Sequence, residues 1–136
     1  MSDAGKRQGA ARLAQWGIAA VFLLLGGWAL VAPDNVIALT VTEPYRDESW
    51  LARFALACFG AQAVLFGLMA LVVRFTARAF LLFAVLLLPF FVFNWYFHYE
   101  VPVLNSLGML DFAGNVVMLV MALVGWRATK ADGETR

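Results

Sequence analysis

A chain of 136 residues that is 63% hydrophobic and only 14% charged departs from the make-up of a soluble domain, about 45–50% apolar and about 25% charged. A water-soluble fold this small has too little interior to hide that much apolar surface, so lipid must cover it, in keeping with a mean hydropathy of +0.80. A net charge of +1 provides no basic face for phosphates and excludes a nucleic-acid partner, while the single cysteine, Cys58, excludes an intrachain disulfide or a dithiol redox pair.

A hydrocarbon core of about 30 Å takes about 20 apolar residues in a helix. Residues 1–9 are polar and are expected to form a flexible tail. The first span covers 11–32; its apolar run from Leu13 to Ala32 is too long for the core of a cleaved signal peptide, so it is expected to stay. Pro33 to Ser49 forms the one sizeable loop, with Val36-Ile37-Ala38-Leu39 apolar enough to rest at an interface, and Asp47 or Ser49 is placed to cap the second span. That span covers 50–73, and a tight turn at Phe75-Thr76-Ala77 leads to the third, 78–98. Glu100-Val101-Pro102 leads to the fourth, 105–126, with Asn105 or Ser106 as its expected cap and a flexible tail over 128–136. The expected fold is all-α: one domain, a polytopic membrane protein built as an antiparallel four-transmembrane-helix bundle. Its short turns make the last three spans neighbours.

Charge placement orients the bundle. Lys6, Arg7, Arg12, Arg74, Arg78, Arg127, Lys130 and Arg136 fall on one side, and only Arg46 and Arg53 of the ten basic residues fall on the other. The richer side is expected to be cytoplasmic, with both termini there, in a bacterial inner membrane. Trp16 and Trp126 then sit at the inner interface and Trp28, Trp50 and Trp95 at the outer one, as aromatic belts require.

Polar groups at membrane depth face protein or a cavity. They concentrate toward the outer ends of the last three spans. Asn94 and His98 are four residues apart on one helix face, as are Asp111 and Asn115, and Arg53 lies about one turn into its span. Tyr96, Tyr99 and Glu100 lie at the rim. The expected ligand-binding set is Arg53, Asn94, His98, Asp111 and Asn115, with Asp111 and His98 the catalytic candidates because both residue types exchange protons. The structural reading is preferred over the functional one: an Asp111–Arg53 ion pair and Asn–backbone bonds tie the bundle together. Pro89 interrupts the backbone ladder of the third span beneath this cluster. Gln62, alone in mid-span, is expected to serve as interhelical glue, reaching Asn115 or a carbonyl.

Ala10, Ala14, Gly17, Ala57, Gly60, Gly67 and Gly114 allow close helix approach. The phenylalanines of the third span suit lipid contact, and Cys58 suits packing as a small apolar residue. A single histidine rules out bis-histidine haem, the absence of an intramembrane lysine rules out a retinal Schiff base, and ligand spacing for a metal is missing. No cofactor or metal is expected.

The Gly26 to Pro33 stretch (Gly-Gly-Trp, then Ala-Pro), Leu51-Ala52-Arg53, Phe59-Gly60-Ala61, Leu65-Phe66-Gly67 and Asp111-Phe112-Ala113-Gly114-Asn115 together resemble the DoxX-like group of small bacterial four-helix membrane proteins. The likeness covers most of residues 11–126. It implies a four-helix bundle. Some members are linked to quinone-coupled sulfur oxidation or act as accessory subunits, so the resemblance implies no one activity and no catalytic residue.

The expected function is a membrane protein without assignable catalysis that binds a lipid-like or apolar ligand or acts as an accessory subunit. One alternative is an enzyme using acid–base chemistry on an amphipathic, sterol- or quinone-like substrate. The other is a small proton-coupled transporter. The expected partners are membrane lipid, an apolar small molecule, and a membrane protein or second copy of the chain.

Overall fold

The computed structural model describes residues 3–133. Helix α1 runs Asp3–Val31, α2 Pro33–Thr40, α3 Trp50–Val72, α4 Ala77–Trp95 and α5 Leu110–Gly133; a 3-10 turn covers Glu43–Tyr45 and a π-helical turn, Tyr96–Glu100, extends α4. Four of these, α1, α3, α4 and α5, are long and apolar enough to cross a membrane. No strand forms among the described residues; Val41 and Leu104 make one isolated bridge.

Helix starts follow local chemistry. Ser49 Oγ accepts the Ala52 N–H at 3.2 Å and so caps α3, while Thr76 Oγ1 does the same for Ala79 at the start of α4. Asp47 stands one step back: its Oδ1 accepts the Ser49 N–H at 2.8 Å. That backbone bond, with one from the Ser49 side chain, holds the Asp47 carboxyl below the usual carboxylate range. The expected loop after α1 is broken by α2, which Pro33 opens at its first turn and which buries Ile37.

Three helix ends depart from expectation. Residues 3–9 and 128–133, expected as tails, are helical. Ala4, Lys6, Arg7, Gln8, Ala128, Lys130 and Ala131 propagate a helix at little cost, and Arg7 Nη1 donates to the Ala131 carbonyl at 3.4 Å, joining the two ends. Residues 1–2 and 134–136 lie outside the described residues. The start of α5 is later than residue 105. Asn105 does not cap a helix: its Oδ1 accepts the N–H groups of Leu107 and Gly108 at 2.9 and 3.0 Å, closing a turn, and its Nδ2 donates to the Leu39 carbonyl at 2.8 Å. The 101–109 loop is thereby stitched to the end of α2, with further bonds from Thr42 N to Val103 O and from Asn105 N to Thr40 O.

Packing runs α3 on α1, α1 on α5, and α5 on α4. The α1–α3 crossing is the closest. A Cβ added to Gly60 would lie 2.4 Å from Leu30 N and 2.6 Å from Gly26 O, and one on Gly26 would lie 2.6 Å from Ala63 Cβ. On the far side, Phe80 of α4 is fully buried over Gly125, within a core of Ile18, Ala84, Leu87, Met118 and Ala122. Phe80 is therefore a core residue, not an outward one. The expectation that the last three spans are neighbours holds for α4 and α5 and fails for α3, which packs on neither of them as a helix pair. Helices α3 and α4 share a short turn and a stacked Phe66–Phe83 pair, with ring centroids 5.8 Å apart, because α1 takes the close-packing face of α3. Gln62 and Cys58 lie on the exposed face of α3, so Gln62 is not interhelical glue and Cys58 is not a packing residue.

Candidate functional site

Toward the α2 end, α3 and α4 leave a gap, and the gap is a partly open cavity of about 480 Å³. Its floor is α1 through Leu25, Trp28 and Ala29. Leu56 and Phe59 of α3 form one wall; Pro89, Phe90, Phe93 and Asn94 of α4 form the other. Val36 and Thr40 of α2, with Leu104 and Gly108 of the stitched loop, close the top, and Leu110 and Asp111 come from the first turn of α5. The volume falls within the range of small-molecule sites, about 300–1,000 Å³, and the lining has their make-up: mainly apolar, with few polar groups.

Those polar groups are built together. Asn94 is 1% exposed and Asn115 3%. The Asn94 amide donates to the Phe90 carbonyl at 2.9 Å and to Asp111 Oδ2 at 2.8 Å; Asn115 Nδ2 donates to the same Oδ2 at 3.0 Å. Two acceptors on the nitrogen side of Asn94 fix its orientation, since a flipped amide would set oxygen against oxygen. This leaves Asn94 Oδ1 buried with no donor. Because α5 starts at Leu110, Asp111 lies in its first turn, shallower than a helix start near residue 105 implies, and there the positive end of the helix dipole favours a carboxylate.

The sequence-expected set divides. Asn94, Asp111 and Asn115 come together. Arg53 does not join them: its Nε lies 2.5 Å from Asp34 Oδ1 in the first turn of α2, and its guanidinium sits over Trp50 at 5.1 Å. The expected Asp111–Arg53 pair is absent because Asp34, on a helix where the sequence pattern suggests loop, claims the arginine first. His98 also turns away. Its Nδ1 lies 2.9 Å from the Leu104 carbonyl, which only accepts, so Nδ1 carries the proton and donates. The Leu104 N–H returns a bond to Phe97 O at 2.9 Å, so His98 clamps the 101–109 loop onto the π-helical turn.

Sequence reasoning missed Trp28 and Thr40 as lining residues, and it missed Gln15. At the opposite end from the cavity, the 7%-exposed Gln15 donates through Nε2 to the carbonyls of Ala70 and Val73 and accepts the Phe75 N–H at Oε1, 3.0 Å away. One side chain thus caps the end of α3 and fixes the turn into α4. A glutamine inside an apolar run was the available signal. No protein-family model, curated protein or solved structure matches the chain.

Proposed function

We propose that this chain crosses a bacterial inner membrane four times, up and down, with both termini in the cytoplasm, and that its cavity binds a lipid-like amphiphile near the outer face. The single observation that carries the binding reading is the cavity itself: an apolar slot between α3 and α4 with Asp111 and Asn94 on its wall. Placed by the charge rule, it opens beside the outer leaflet, where a lipid tail can slide in laterally. The likeness to the DoxX-like group, as a binding or accessory membrane protein, belongs to this proposal and rests on the residue pattern of the spans.

The alternatives have less behind them. Acid–base catalysis would pair Asp111 with His98 across a substrate, but His98 does not border the cavity and its Nδ1 is engaged with Leu104 O. A proton path would need polar groups beyond Asn115, but Met118 and Ala122 follow on that face and pack with Ile18 and Leu87, while Gln62 lies outside the bundle.

The test is native mass spectrometry of the purified protein released from nanodiscs, beside the Leu56→Trp variant. Leu56 lines the cavity outside the buried core, so the larger ring fills the slot and spares the fold. A co-purifying small molecule on the wild type, lost in Leu56→Trp, is the expected result. A bare wild-type mass, or equal occupancy in both proteins, would overturn the reading.

A further inference from the structure

The hydrogen-bonding groups around the cavity are unequal in kind. Every side-chain donor on its lining is already engaged within the protein. Trp28 Nε1 donates to Asn35 Oδ1 at 3.1 Å, Thr40 Oγ1 donates to Val36 O at 2.8 Å, and both amide hydrogens of Asn94 are taken by Phe90 O and Asp111 Oδ2. The backbone donors of the non-helical lining are engaged too: Leu104 N bonds to Phe97 O, and Gly108 N to Asn105 Oδ1. What remains is acceptors. Asn94 Oδ1 is buried without a donor, and Asp111 receives both of its side-chain bonds on Oδ2, leaving Oδ1 with none. Among the described residues no Lys, Arg or His nitrogen pairs with Asp111.

The buried Asn94 oxygen is costly without a donor, whereas Asp111 is exposed at the edge of the cavity, so its free Oδ1 is the acceptor that a ligand can reach. A ligand that only accepts hydrogen bonds would add a third acceptor to this corner. A ligand that donates would satisfy it. We infer that the cavity selects an amphiphile whose head group donates hydrogen bonds, an ammonium or a hydroxyl, seated on Asp111, with its apolar chain between Phe59 of α3 and Phe90 and Phe93 of α4. This rests on the binding reading above and adds the chemistry of the ligand to it.

Single-chain probes of one length test it: dodecylammonium, dodecanol and dodecyl methyl ether, titrated onto the protein in nanodiscs, with occupancy counted by native mass spectrometry. The ammonium and hydroxyl probes should occupy the wild type at least about tenfold more tightly than the ether, since hydrogen bonds to charged groups carry about that factor or more. Comparison of the two donors tells a cationic head from a neutral one, and preference for either over the ether supports the inference. The Asp111→Asn variant adds a reversal. Its side-chain oxygen can keep the bonds from Asn94 and Asn115, which places an NH₂ where the free oxygen stood. The donor preference should then shrink or invert toward the ether. Equal binding of all three probes to the wild type, or preference for the ether, overturns the inference and leaves the cavity as a binding site. Binding of none overturns the binding reading as well. The wild-type comparison stands even if Asp111→Asn does not fold.

Discussion

The side-chain amide of Gln15 meets three backbone groups from the end of α3 and the turn after it, the bond to Ala70 buried and those to Val73 and Phe75 part-buried. Replacing it with leucine leaves two carbonyls and one N–H unsatisfied, at about 1–3 kcal/mol in all if relaxation or water recovers part of the loss. Gln62 presents the same amide on the exposed face of α3 and makes no such bonds, so Gln62→Leu should change stability by no more than about 0.5 kcal/mol. Thermal unfolding of both variants in detergent separates the cases, and equal destabilisation would contradict this division of roles. Hydropathy alone cannot make the distinction, because each glutamine interrupts an apolar run and only the helix face decides what it meets. The polar trio was more legible: Asp111 and Asn115 are one turn apart on a helix and must share a face. Arg53 was not, since its partner Asp34 lies on α2, which is too short and too weakly patterned to be read as a helix from sequence.

At the scale of elements, the α1–α3 crossing depends on the absence of two side chains. Gly60 approaches α1 so closely that even one methyl group would meet backbone atoms of Leu30 and Ala29. Gly60→Ala should therefore destabilise by about 1–3 kcal/mol through overpacking, and Gly60→Leu by more, because α1 cannot retreat without losing its contacts to α5. Phe54, 65% exposed on α3, is the proper control, and Phe54→Leu should unfold at nearly the wild-type temperature. Equal melting temperatures for Gly60→Ala and Phe54→Leu would remove the close crossing from the account of stability. Phe83 is no such control, for its ring packs against Phe22 and Phe66 at centroid distances of 6.1 and 5.8 Å. Small residues in the spans announced a close helix pair in the sequence. Which pair was hidden, because a short turn constrains where the next helix starts and says little about which helix it packs along. That undetermined choice is also what opens the cavity, since α3 leans on α1 and leaves α4 to α5.

For the whole molecule, the contacts gather the charged ends into two groups. Arg7 near the start of α1 reaches Ala131 near the end of α5, and Gln15 ties α1 to the end of α3 and the start of α4, which places Arg74 and Arg78 in the same basic neighbourhood. The other group holds Arg53 with Asp34, Arg46 bonded to the Val41 carbonyl, and the acidic residues Glu43, Asp47, Glu48 and Glu100 around the stitched loops. Lys and Arg close to span ends decide which side stays in the cytoplasm. The basic end should therefore face inward and the cavity end outward. Alkaline phosphatase is active only when exported, so fusions after Thr42 and Val103 should be active. Fusions after Thr76 and Gly133 should be inactive. Thr42 and Val103 are bonded to each other through Thr42 N and Val103 O at 2.8 Å, so the first two fusions must report the same side whatever that side is. Disagreement between them would mean that the chain does not insert as this bundle. The fully reversed pattern would keep the bundle and turn it over, placing Asp111 and its cavity toward the cytoplasm, where a ligand would have to enter from the inner leaflet.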